Sequence, residues 1–201
     1  MTVHKLLLTS LILVLAGCVT EQEEDAPRGA SAGGVDLGLE RQVRVRVAGL
    51  QRLQGAPLLH SLQVLISCGS SARAVVIESL ASPDPHVRAG LLYVLGFIGG
   101  EEARVAVAKS LADAEAGVRY EAAAALLQLG SLDGMPVLIA LLDHSEARMR
   151  MKAMDAVSAR AGTDFGYRFD AQAGERGAAV ERVRQWWRAT TAGAPVAGRQ
   201  P

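Results

Sequence analysis

The chain predicts an all-α fold, an α-solenoid of antiparallel helix pairs with a period of 31 residues. Three observations carry that expectation. Hydrophobic residues make up 50% of the 201 positions while aromatics make up 4%, a balance of Ala, Leu and Val that suits closely packed helices better than strands. The segment AVVIESLASPDPHVR (74 to 88) reappears as VAVAKSLADAEAGVR (105 to 119), with Val76/Val107, Ser79/Ser110, Leu80/Leu111, Val87/Val118 and Arg88/Arg119 all offset by 31. The offset continues into PVLIALLDHSEARMR (136 to 150), where Leu111 meets Leu142 and Arg119 meets Arg150. Such self-similarity at a fixed period is the mark of stacked supersecondary units.

Residues 1 to 17 carry Lys5, an apolar stretch from Leu6 to Leu15 and then small residues. The stretch is too short to span about 30 Å of hydrocarbon, so a signal peptide is expected rather than a transmembrane helix. Leu15-Ala16-Gly17-Cys18 resembles the lipobox of bacterial lipoproteins at all four positions. The resemblance implies cleavage before Cys18, acylation of its thiol and new amino group, and attachment to the membrane through that lipid. Val19, rather than Asp, after the cysteine implies the outer membrane. Residues 18 to 34 then read as a tether, acidic and afterwards small, with a reach of about 20 to 25 Å. If Cys18 is acylated, Cys68 has no disulfide partner, and its setting, LQVLISCG, marks it as a small buried hydrophobe.

The repeat domain is expected over 35 to 189. Its first helix places Leu39, Val43, Val47 and Leu50 on one face, and pairs with a helix around Leu58 to Cys68 as a diverged N-terminal cap. Long helices follow at Val87 to Ile98 and Val118 to Leu129, with Val87, Leu91, Leu95 and Ile98 on one face of the former. Gly99 and Gly130 supply the stops. Short helices follow at about Ala103 to Ala112 and Met135 to Leu142, with Pro136 where a missing N–H costs little.

Asp84, Glu115 and Glu146 are spaced by 31, as are Arg88, Arg119 and Arg150. Each acid lies four residues before its arginine, at a helix start, where it favours the N-terminal dipole and can pair with the arginine of its own or the next repeat. The six are expected to form a structural ladder rather than a binding ridge. The sequence EAGVRYEAAAAL, followed by PVLIALL, resembles the short HEAT-like repeats named after phycobilisome lyases, over roughly residues 56 to 160. That resemblance implies a solenoid whose short helices line the concave side and carry contacts, which nominates Arg73, Glu78, Arg104 and Lys109 for a protein partner.

The C-terminal stretch 161 to 189 contains Asp164-Phe165-Gly166, the triplet that holds magnesium in protein kinases, but the chain has no Asn and no Gly-rich phosphate loop. Five of the eight aromatics, Phe165, Tyr167, Phe169, Trp186 and Trp187, gather here, as expected of a plug over the exposed apolar side of a last repeat. The segment resembles the end of many bacterial HEAT-like proteins, although Arg168 stands where an aspartate is usual. Residues 190 to 201 are expected to be a disordered tail.

Nothing nominates catalytic residues, a cofactor or a metal site: His60, His86 and His144 are isolated. A net charge of +0 gives no electrostatic argument for nucleic acid. The expectation is a non-catalytic scaffold or adaptor lipoprotein of the bacterial envelope that binds a protein. An enzyme subunit of lyase-like type and a glycan-binding or structural envelope protein are the alternatives.

Overall fold

The computed structural model describes residues 37–192. The signal peptide, Cys18 and the tether lie outside the described residues, as do the last nine residues of the tail. Within the described residues all regular structure is helical: α1 (Leu37–Gly49), α2 (Gly55–Ser67), α3 (Ser70–Glu78), α4 (Pro85–Ile98), α5 (Glu101–Lys109), α6 (Ala116–Gln128), α7 (Met135–Leu141), α8 (Ala147–Ala161) and α9 (Ala173–Ala192), with single 3₁₀ turns after α1, α3 and α5. Helix α9 carries Thr190 and Thr191 into what the sequence assigns to the tail.

The helices alternate between two layers. The long helices α2, α4, α6 and α8 pack each on the next, and α1, α3, α5, α7 and α9 occupy the other side. The α-solenoid arises because each helix buries one stripe: Val87, Leu91, Leu92, Val94 and Leu95 on α4, and Val118, Ala122, Ala123, Ala125 and Leu126 on α6. One apolar cluster runs from Val43 to Leu126 and a second from Ala123 to Val183. Burying a Leu or Val stabilises by about 1.5 to 3 kcal/mol each, and no helix could bury its stripe without its neighbours.

Helix ends follow the sequence closely. Gly99 closes α4 at φ 70° and Gly100 opens α5 at φ 96°, backbone conformations that L side chains rarely adopt. Helix α1 departs from expectation. It packs chiefly on α3 and only slightly on α2, so it takes the place of the second helix of a repeat, not that of the partner of α2, and among the described residues that repeat has no first helix. An amphipathic stripe shows that a helix is covered, but not by which neighbour.

At the other end the aromatic plug forms. Tyr167 is 7% exposed and donates its hydroxyl to the Leu142 carbonyl. Phe165 packs its ring 5.6 Å from Trp186, which stands 6.1 Å from Trp187. Both tryptophans are half-buried against the second cluster. Asp164 accepts the Gly166 N–H at 2.8 Å and Arg182 donates to the Phe165 carbonyl. These bonds hold Phe165 at φ 56°, where a bulky residue is uncommon. The triplet is a turn, and its work is to fold the plug.

Candidate protein-binding surface

Asp84, Glu115 and Glu146 stand at the N-caps of α4, α6 and α8, as a helix-start acid should. Only Asp84 caps through its side chain, accepting the His86 N–H at 2.8 Å. The expected ladder of acid to arginine pairs does not form. Instead each arginine turns its Nη1 back onto two carbonyls of the turn before its helix: Arg88 onto Ser82 and Pro83, Arg119 onto Asp113 and Ala114, Arg150 onto His144 and Ser145. The reason is position: residues five and six before the arginine present otherwise unpaired carbonyls at the helix start, and the planar guanidinium fits both. Arg88 spends its remaining N–H groups on Asp113 of the next repeat, and Arg150 spends its own on the Phe169 carbonyl of the plug.

A second series, which sequence reasoning missed, supports those turns. Ser82 Oγ, Asp113 Oδ1 and His144 Nδ1, again 31 apart, each accept the N–H two residues on. Three chemically different side chains perform one task, so identity matching passes over them.

The nominated contact residues are mostly occupied. Arg73 lies under the Gly99–Gly100 turn, where a Cβ on Gly100 would come within 2.6 Å of its guanidinium carbon, and pairs with Glu102 at 3.3 Å. Glu78 pairs with Arg44 at 2.8 Å, an arrangement that raises the Arg44 pKa and lowers the Glu78 carboxyl from its ordinary value. Arg104 pairs with Glu101 and lies 3.8 Å from Asp133. Lys109 is exposed, with no ion pair among the described residues. Of the four, Lys109 alone is presented as a free charge, because neighbouring repeats place opposite charges beside the other three.

The long-helix layer holds the more substantial feature, a groove of about 350 Å³ crossing α2, α4, α6 and α8. His86 apart, its lining residues, Leu58, Leu59, Leu62, Ala89, Gly90, Tyr93, Tyr120, Glu121 and Lys152, belong to three repeat positions. The first reads Leu58, Ala89, Tyr120, Met151, the second Leu59, Gly90, Glu121, Lys152, and the third Leu62, Tyr93, Ala124, Asp155. Gly90 creates the groove, since it occupies the place where the next two repeats carry Glu121 and Lys152. A Cβ there would come within 3.2 Å of a Leu62 methyl.

The groove is apolar at the α2 end, where Leu59 is 63% exposed, and charged at the other. There the Lys152 ammonium meets Glu121 at 3.1 Å and lies 4.3 Å above the centre of the Tyr120 ring. Burial, with the Glu121 and Asp155 carboxylates adding to it, pushes the Tyr120 hydroxyl above its ordinary pKa, so it stays a hydrogen-bond donor at neutral pH. Tyr93 and Phe97 pack with centroids 4.9 Å apart and ring planes tilted by 58° beside the groove, and Phe97 is exposed. Tyrosines flanking an open apolar depression make a surface suited to a protein segment. Because Tyr93 and Tyr120 occupy different repeat positions, the period does not reveal that they line one groove.

Among the described residues no group of three or more His, Cys, Asp or Glu side chains is placed to hold a metal ion, and no helix is long and apolar enough to cross a membrane. Cys68 is half-buried and donates to the Val64 carbonyl at the end of α2.

Comparison with known families agrees with this geometry. The HEAT repeats model matches residues 58–126, and the PBS lyase HEAT-like repeat model matches residues 118–144. A search of curated proteins finds no match. The fold and the matched segments define an α-solenoid containing HEAT-like repeats. Stacks of this kind suggest a repeat scaffold or a protein-interaction role.

Proposed function

We propose that the chain is a non-catalytic protein-binding scaffold of the bacterial cell envelope, held at the outer membrane by an acylated Cys18. The observation that carries the binding half is the groove over Gly90, whose apolar and tyrosine lining is open on the long-helix layer. The anchor half rests on the sequence Leu15-Ala16-Gly17-Cys18.

The two halves are tested separately. Metabolic labelling with a fatty-acid probe should mark the wild-type chain and not Cys18→Ala, and labelling of neither would remove the anchor. A crosslinking pull-down with the full chain should capture a partner that Gly90→Leu, which fills the groove, loses about tenfold. Equal capture by both chains would move the partner away from this groove.

A further inference from the structure

The two layers of the solenoid are unequal. Among the described residues five helices lie on the side of α1 and four on the side of α2. The member that the described residues do not supply is the first helix of the repeat whose second helix is α1. Its place is marked by a depression of about 560 Å³ lined by Arg41, Gln42, Val45, Arg46, Leu53 and Ser61 among others. The C-terminal end of the stack is closed by Tyr167, Phe165 and α9, whereas no described residue closes this end. A repeat stack normally finishes both ends, since a terminal helix left open exposes part of its apolar stripe.

We propose that this place receives a helix from a protein partner, amphipathic, with an apolar stripe bordered by carboxylates. The proposal rests on the scaffold reading and names the chemistry of the partner. The helical form follows from the repeat, because the gap is the site of a helix running antiparallel to α1 and alongside α2. Apolar surface waits in it: Val45 is 67% exposed, and Leu53 stands beside it half-buried.

The charge follows from the arginines. Arg41 and Arg46 line the depression and pair with no carboxylate among the described residues, nor does Arg52 close by. Arg44, one position away from the depression's row, is matched by both Glu40 and Glu78. The protein thus neutralises the arginine that faces its own α3 and leaves positive those that face the gap. Carboxylates on an incoming helix would form charge-assisted, bidentate bonds with them.

A photoreactive benzophenone residue placed at Val45 of the full chain, in the cell that makes it, tests this directly, with Tyr93 in the groove and Val105 on α5 as comparison positions. The expected result is an adduct at residue 45 whose sequenced peptide is an acidic amphipathic helix. Arg41→Glu with Arg46→Glu should reduce it at least tenfold without changing the circular dichroism spectrum. Reversing the partner's carboxylates to lysine should restore it in that variant. An adduct insensitive to the charge reversal overturns the proposal, and so does an adduct made only with residues 19 to 34 of the same chain, with a second copy, or with lipid. Adducts at residue 93 and none at residue 45 would overturn it while leaving the scaffold reading intact. No protein adduct at any position would remove both.

Discussion

Arg88 and Asp113 join successive repeats through two parallel bonds, Nε to Oδ2 and Nη2 to Oδ1, each 2.8 Å long, with side chains 16% and 15% exposed. The same carboxylate accepts the Glu115 N–H at the start of α6. One acid thus fixes both the stacking of α4 on its successor and the entry into α6. Arg88 draws the Asp113 carboxyl below the usual carboxylate range, and the pairing raises the Arg88 pKa in return.

Asp113→Asn keeps a side-chain acceptor for the Glu115 N–H but removes the charge. It should cost about 1 to 3 kcal/mol at neutral pH, the range for a hydrogen-bonded charge deprived of its partner. The pH dependence has a definite sign. Because the folded carboxyl titrates lower than the unfolded one, its stabilisation is complete above the unfolded pKa and is lost as pH falls through the folded value. Urea melts of the two chains should therefore differ most at pH 7 and converge below about pH 4. A gap that stays constant down to pH 3 would assign the loss to packing instead.

Arg150 makes a similar repair at the far end and has more to lose. It is 8% exposed and serves the His144, Ser145 and Phe169 carbonyls together, whereas Arg119 serves two carbonyls at its turn. Arg150→Ala should cost more than Arg119→Ala, by about 1 to 3 kcal/mol for the extra part-buried acceptor and the loosened plug. Arg150→Lys should recover only part of it, since an ammonium cannot span the turn and the plug with planar bonds. Thermal melts of the three variants decide the order, and equal losses at 119 and 150 would mean that the plug does not depend on this arginine.

How much of this was legible in the sequence differs between layers of description. The period, the buried stripes of α4 and α6 and the stops at Gly99 and Gly130 could be read, because local propensity and burial both leave a periodic trace. The choice of partners could not. Asp84 and Arg88 sit at the right spacing for a helix pair, yet the carbonyls of Ser82 and Pro83 lie within the same reach and have no other donor. Conversely, Asp113 resembles neither Ser82 nor His144, so its place in a series was hidden by chemistry. The groove escaped for a further reason: Gly90 contributes a missing side chain, and an absence becomes a cavity only once α2 and α6 are set around it.

Tyr167 tests the plug from inside. Its hydroxyl bonds the Leu142 carbonyl, and burial pushes its pKa above the ordinary value. Tyr167→Phe should fold normally and lose about 0.5 to 1.5 kcal/mol. A folded pKa above the unfolded one means that stability present below about pH 10 falls as pH rises toward the folded value. The wild-type chain should therefore weaken above pH 10 more steeply than Tyr167→Phe, with Tyr120, also raised, leaving a residual slope in the variant. Denaturation midpoints at pH 8 and 10.5 measure this, and parallel decline in both chains would show that Tyr167 does not titrate on unfolding.

Gly134 and Gly117 separate close packing from helix propensity. A Cβ on Gly134 would lie 2.7 Å from both the Cα and the carbonyl oxygen of Ala123, while one on Gly117 meets nothing within 4 Å. Backbone cannot swing aside as a side-chain tip can, so Gly134→Ala must push the start of α7 away from α6 and disturb Met135 and Leu138, both fully buried. Overpacking of this kind costs about 1 to 3 kcal/mol. Gly117→Ala, in the first turn of α6 with a helical φ, should be neutral or gain up to about 1 kcal/mol from the reduced freedom of the unfolded chain. Chemical denaturation of the pair gives the answer: if Gly134→Ala is as stable as the parent, the approach of α6 and α7 is looser than these distances require.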